Sequence, residues 1–129
     1  MDDAWHSISY KGAMTDGVLS AEAYAATGSP WFSGHFPDEP ILPGIAILAM
    51  VTDAIRLHAS EKGREIRISN IRRVRFRLPV RPDEAITISL SFSAQGESLS
   101  YHFRVEPTGK TVCTGIVVAK PLPVEQKRL

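Results

Sequence analysis

Cysteine is almost missing from this chain: Cys113 is the only one in 129 residues. No intrachain disulfide can form, and a cysteine-based metal site is excluded. Charge is close to balanced, at +1 with histidine neutral, so no global field draws the chain to nucleic acid or to a membrane surface. No apolar run is long enough to span a bilayer. The opening residues, MDDAWHSISY, have neither a basic start nor an apolar core and do not read as a signal peptide. His6, His35, His58 and His102 lack the close spacing of a zinc motif. These absences leave a cytoplasmic protein of ordinary composition, 43% hydrophobic and 22% charged, with no metal and no membrane or nucleic-acid partner expected. The length suits a single domain over residues 1–120, with a proline-rich, charged and flexible tail over 121–129.

The stretch Trp31–Asp53, WFSGHFPDEPILPGIAILAMVTD, carries the most information. It sets His35 between small and aromatic residues and follows it with Pro37, Pro40 and Pro43. Proline fixes φ and pushes the residue before it towards extended geometry, so Gly34–Pro43 is expected to be a stiff, non-helical loop. Nothing then breaks a helix from Ile45 to about Glu61, and Gly63 is the natural residue to end it. Ile45 through Val51 leaves no polar face for two turns, which predicts a helix buried on every side there. A histidine on a rigid loop, delivered to the N-terminus of a helix, suits binding and polarising a carbonyl oxygen.

Before this stretch, Trp5–Tyr10 and Val18–Ala26 are strand candidates, the second weak because five of its nine residues are alanine or serine. After it the pattern alternates with period two. Val74, Phe76 and Leu78 alternate with Arg75 and Arg77; Ile66 and Ile68 extend the pattern backwards, with a parity slip between Ile71 and Val74 that predicts a bulge. Ile86–Phe92, Leu99–Val105 and Thr111–Ala119 complete an antiparallel meander, turned at Gln95-Gly96 and Pro107–Gly109. The class is α+β: a sheet curled around one long helix. One sheet covers only part of such a helix, so a second subunit is expected. Cys113 is expected in the core, and His58 and His102 on the surface.

Gly34-His35-Phe36-Pro37, then Pro40, then Pro43-Gly44, resembles the signature of the β-hydroxyacyl-acyl-carrier-protein dehydratases, hotdog-fold enzymes of fatty-acid synthesis. Val74–Pro82 looks like that family's strand after the central helix, and the likeness runs from about Trp31 to Ala119. It implies a hotdog dimer or higher assembly, up to a trimer of dimers, with the active site between subunits. It gives His35 the role of base towards the α-proton of a 3-hydroxyacyl thioester. Gly44 would offer its backbone N–H to the thioester carbonyl, and loss of water would give a trans-2-enoyl thioester. The family tends to hold a cis peptide after its histidine, here His35–Phe36. No cofactor is implied; phosphopantetheine enters with the substrate, on an acyl carrier protein or coenzyme A.

The sequence departs from the family at one place. Five residues after the glycine the family has a helix Glu or Asp that helps the hydroxyl leave; here that position is Ala49. Asp53 lies on the same helix face, but about 6 Å further along the axis. It either pairs with Arg56 at the surface or reaches the site through a water. Phe32 and Phe36 line an acyl tunnel or anchor the loop. Arg72, Arg73, Arg75, Arg77 and Arg81 are either the solvated face of a strand or a docking surface for an acidic carrier protein, centred on Arg75 and Arg77. Three readings stay open: a dehydratase with His35 as base, a non-catalytic acyl or carrier-protein-binding subunit that is half of a heterodimer, and an acyl thioesterase. The third needs an activated water or a carboxylate beside the carbonyl, for which Asp38, Glu39 and Asp53 are the candidates.

Overall fold

A computed structural model describes residues 5–13, 17–33, 40–107 and 109–123. Along the chain these form β1 (Ser7–Ala13), β2 (Val18–Tyr24), a 3-10 turn (Pro30–Phe32), α1 (Gly44–Glu61), β3 (Ile66–Phe76), β4 (Ile86–Gln95), β5 (Ser98–Glu106) and β6 (Cys113–Pro121). The strands make one six-stranded antiparallel sheet among the described residues, ordered β1-β2-β4-β5-β6-β3. β2 forms despite its alanines because it is paired on both sides, with β1 and with β4. Its alternate residues Leu19, Ala21 and Ala23 reach the core. Likewise β4 buries Ile86, Ile88 and Leu90, and β5 buries Leu99, Tyr101, Phe103 and Val105. This is the period-two pattern expected of a sheet with one covered face.

The helix lays Ala46, Ile47, Met50, Val51, Ala54, Ile55, His58 and Ala59 against that face. Its end follows from Gly63, which takes a left-handed φ of 74°. The Gly63 N–H donates to the Ser60 carbonyl and the Arg64 N–H to the Ala59 carbonyl, both at 2.9 Å. Those two bonds satisfy carbonyls that the helix end would leave orphaned.

Three expectations need correction. The first two helix turns are not buried on every side, since Ile45 is 69% exposed; one sheet covers one stripe of a helix and no more. His58 is not a surface residue but 3% exposed, because β4 and β5 bring Phe92 and Tyr101 over it. Phe76, the last residue of β3, and Leu78, just beyond the strand, are half-exposed, so the alternation Val74-Phe76-Leu78 does not mark a buried face to its end. Pro121 pairs with Ile66, and the Leu122 N–H donates to the Glu65 carbonyl, so the sheet runs just past residue 120. The expected bulge is present: the β3 register shifts between Arg72 and Arg75, with Arg73 at φ 57°. No helix among the described residues is long and apolar enough to cross a membrane.

Candidate active site

The start of α1 is the centre of the site. Its N-cap residue is Pro43, which has no side-chain acceptor to offer, and no acidic residue lies in the first turn. The Ala46 and Ile47 N–H groups donate to the Pro43 carbonyl, which leaves those of Gly44 and Ile45, at the positive end of the helix, as the candidates for a ligand to use. A largely apolar cleft of about 480 Å³ opens there, between Ile41–Gly44 and Ile47 on one side and Phe76–Pro79 on the other. The Phe76 ring lies across Gly44 so closely that a Cβ on residue 44 would sit 2.7 Å from Phe76 Cζ. Only glycine lets ring and helix backbone meet in this way. The Leu42 N–H donates to the Val80 carbonyl at 2.7 Å and the Arg77 N–H to the Val112 carbonyl at 2.8 Å, which ties the loop before the helix to the segment after β3, and that segment to the residue before β6.

Gly44 and Arg77 are thus brought together at one cleft. Arg75 is exposed on β3 beside it, with Arg72 and Arg73, and Arg81 is exposed as well. Phe32 is buried in the core, closing the 3-10 turn that precedes the histidine loop. His35, Phe36, Asp38, Glu39 and the His35–Phe36 peptide lie outside the described residues. Of the described residues around them, Phe32 before and Leu42 after are buried. Among the described residues no group of three His, Cys, Asp or Glu side chains could hold a metal ion.

Among the described residues Asp53 pairs with His6 rather than with Arg56. It accepts a 2.7 Å hydrogen bond from His6 Nε2. On the other side of that ring, Trp31 Nε1 donates to His6 Nδ1 at 3.0 Å. Trp31 is placed by Ser29, whose hydroxyl accepts from the Trp31 N–H and donates to the Trp5 carbonyl. Sequence reasoning passed over His6 and Trp31. They are separated from each other by 25 residues and His6 from Asp53 by 47, and no spacing rule links positions that only the sheet brings together.

Elsewhere the polar groups are structural. Tyr101 hydroxyl and His58 Nδ1 share a 2.8 Å hydrogen bond inside a cluster with Phe92. Burial lowers the His58 pKa, with Lys62 next in effect, and burial pushes the Tyr101 phenol up to about 12. Cys113 is buried, as expected, and its thiol is pushed up to about 11 by that burial. Asp83, at φ 66°, accepts hydrogen bonds from Thr27 and Tyr24, which hold its carboxyl below the usual range.

A long helix on an antiparallel sheet defines a hotdog-fold protein. Comparison with known proteins narrows this. The family model described as ApeI-like, ApeI dehydratase, matches residues 13–116, and the chain belongs to that family. A 3-hydroxyacyl-[acyl-carrier-protein] dehydratase FabZ from Agrobacterium fabrum is 34% identical over 102 residues, which are 75% of this chain and 66% of that enzyme. Another FabZ, from Syntrophobacter fumaroxidans, is 38% identical over 66 residues, 47% of this chain and 45% of that one. The match therefore spans only about half to two-thirds of these relatives' length. Among solved structures, the dehydratase heterocomplex ApeI:P from Xenorhabdus doucetiae superposes with a TM-score of 0.66 at 19% identity, covering 88% of this chain and 98% of that one. A hypothetical thioesterase with coenzyme A from Streptococcus pneumoniae gives 0.70 at 13% identity, covering 89% and 88%. At such identities the structural likeness speaks for the fold.

Proposed function

We propose that this protein dehydrates 3-hydroxyacyl thioesters, as a cytoplasmic enzyme acting on carrier-protein substrates in a site shared between two chains. The observation that carries the reading is the apolar cleft at the start of α1, lined by Gly44 with the Phe76 ring across it and without a side-chain cap on the helix; the Gly44 N–H is the donor assigned to the substrate. The thioester oxygen accepts from that N–H, and charge building on it makes the α-proton acidic enough to remove. His35 takes the proton; the former C–H electron pair becomes the C2–C3 double bond as the C3–O bond breaks. The imidazolium then returns the proton to the departing hydroxyl, which leaves as water. Phosphopantetheine comes with the substrate, and the exposed Arg75 and Arg77 meet the acidic carrier. The edge of β3, unpaired among the described residues, with exposed Ile45, Phe76 and Leu78, is where a second copy docks.

Ala49 supports a second reading, in which the working assembly is a heterodimer whose other member supplies a carboxylate. The solved neighbour described as a dehydratase heterocomplex favours it. Hotdog neighbours described as thioesterases make thioester hydrolysis the competing chemistry. One assay separates the three. The chain is incubated with a 3-hydroxyacyl carrier-protein thioester, alone and mixed with a hotdog dehydratase subunit that bears the helix Glu, and both enoyl product and free thiol are measured. Enoyl product from the chain alone, lost in His35→Ala, is the expected result. Product only in the mixture supports the heterodimer, and release of thiol without enoyl product overturns dehydration.

A further inference from the structure

Trp31, His6 and Asp53 form one hydrogen-bonded line, and the chemistry of its members fixes its direction. An indole N–H can only donate, so His6 Nδ1, 3.0 Å away, is the acceptor and carries no proton. The ring proton of the neutral imidazole is then on Nε2, aimed at Asp53 Oδ2 at 2.7 Å. The His6 side chain is only 9% exposed, whereas that of Asp53 is 46% exposed. The line therefore begins in packed protein and ends on a carboxylate open to solvent. His6 engages one oxygen of that carboxylate, Oδ2. Such an arrangement locks a tautomer and orients an acid group, as the partners of functional histidines commonly do.

Its place in the fold gives the line a purpose. Trp31 stands four residues before His35, at the head of the loop that carries the proposed base. Asp53 stands one helical turn after Ala49, where the helix lacks a carboxylate. Along the axis Asp53 is about 14 Å from Gly44 of its own helix, at ~1.5 Å per residue, so the helix start it would act with is that of a second chain. We propose that Trp31 and His6 are positioning residues that hold Asp53 as the acceptor for the 3-hydroxyl of the substrate, directly or through one water, in place of the carboxylate missing at position 49. This rests on the dehydratase reading above. Fixing the hydroxyl sets the C3–O bond in the geometry that elimination needs, a gain that appears in kcat more than in KM.

The test is a mutant cycle on the full-length chain with a 3-hydroxyacyl carrier-protein thioester. Asp53→Asn is expected to lower kcat about 100-fold, and His6→Ala about tenfold or more with KM little changed. His6→Gln, which keeps an N–H for the carboxylate, recovers most of that loss. The double variant His6→Ala/Asp53→Asn is no worse than Asp53→Asn alone, because the two residues act as one unit. Nitrogen NMR of the His6 ring is expected to show the Nε2–H tautomer in the wild type and a changed ring spectrum in Trp31→Phe, a variant that keeps an aromatic ring in place. Additive losses in the double variant, full activity in His6→Ala, or an Nδ1–H tautomer would overturn the relay. If His6→Ala does not fold, the Gln and Phe variants decide the matter. A wild type inert alone and in mixture overturns dehydration itself; an active wild type indifferent to His6 overturns only the relay.

Discussion

Gly44 shows how a single missing methyl group shapes the site. An added Cβ would meet Phe76 Cζ at 2.7 Å and its two Cε atoms at 3.1 Å, and the half-exposed ring can swing aside only by leaving the cleft. Gly44→Ala is therefore expected to change unfolding free energy by no more than about 1 kcal/mol while lowering kcat/KM about 100-fold through the displaced wall. Urea unfolding and steady-state kinetics on one preparation check both halves. His58 gives a prediction of another kind. Burial keeps it neutral in the fold, with a pKa below 6.5, so as pH falls past ~6.5 the unfolded chain takes up a proton before the folded one does. Stability is thus complete above that value and declines as pH drops towards the lowered folded pKa. The urea midpoint is expected to fall between pH 8 and pH 5.5, and to fall less in His58→Gln. Neither residue's surroundings could be read from neighbours in sequence. Gly44 stood out through the prolines before it, but the ring above it comes from β3, and the cover over His58 comes from β4 and β5.

At the scale of elements, legibility followed the directness of the physical code. Strand pleat is written as alternation, so the slip between Ile71 and Val74 located the bulge that the structure places between Arg72 and Arg75. The helix end was equally plain, because Gly63 is what a left-handed terminal residue requires. Coverage of a helix is not written locally. The apolar run Ile45–Val51 gave no sign that Ile45 would be left exposed, since which stripe meets the sheet is decided by tertiary packing. Within the sheet, Gly115 on β6 lies opposite Phe103 on β5, and the ring fills the space a side chain would take: a Cβ there would be 2.6 Å from Phe103 Cζ and 3.2 Å from Val74 Cγ2. Phe103 is 3% exposed and has nowhere to go. Gly115→Ala is expected to destabilise the fold by about 1–3 kcal/mol through overpacking, read as a lower urea midpoint at unchanged slope.

For the whole molecule, β3 ends the strand order among the described residues, and its last residue, Phe76, lines the open cleft at the α1 start together with Gly44. A base on one chain and a carboxylate on another would then complete a site that neither holds alone. Subunit complementation tests this most directly. His35→Ala chains and Asp53→Asn chains, each close to inert, are unfolded together, refolded as a mixture and assayed for enoyl product. In random reassembly, half of the dimers are mixed and each regains one of two sites, so activity is expected to return to about a quarter of wild type. A mixture no more active than its two components would contradict a site built from His35 of one chain and Asp53 of the other.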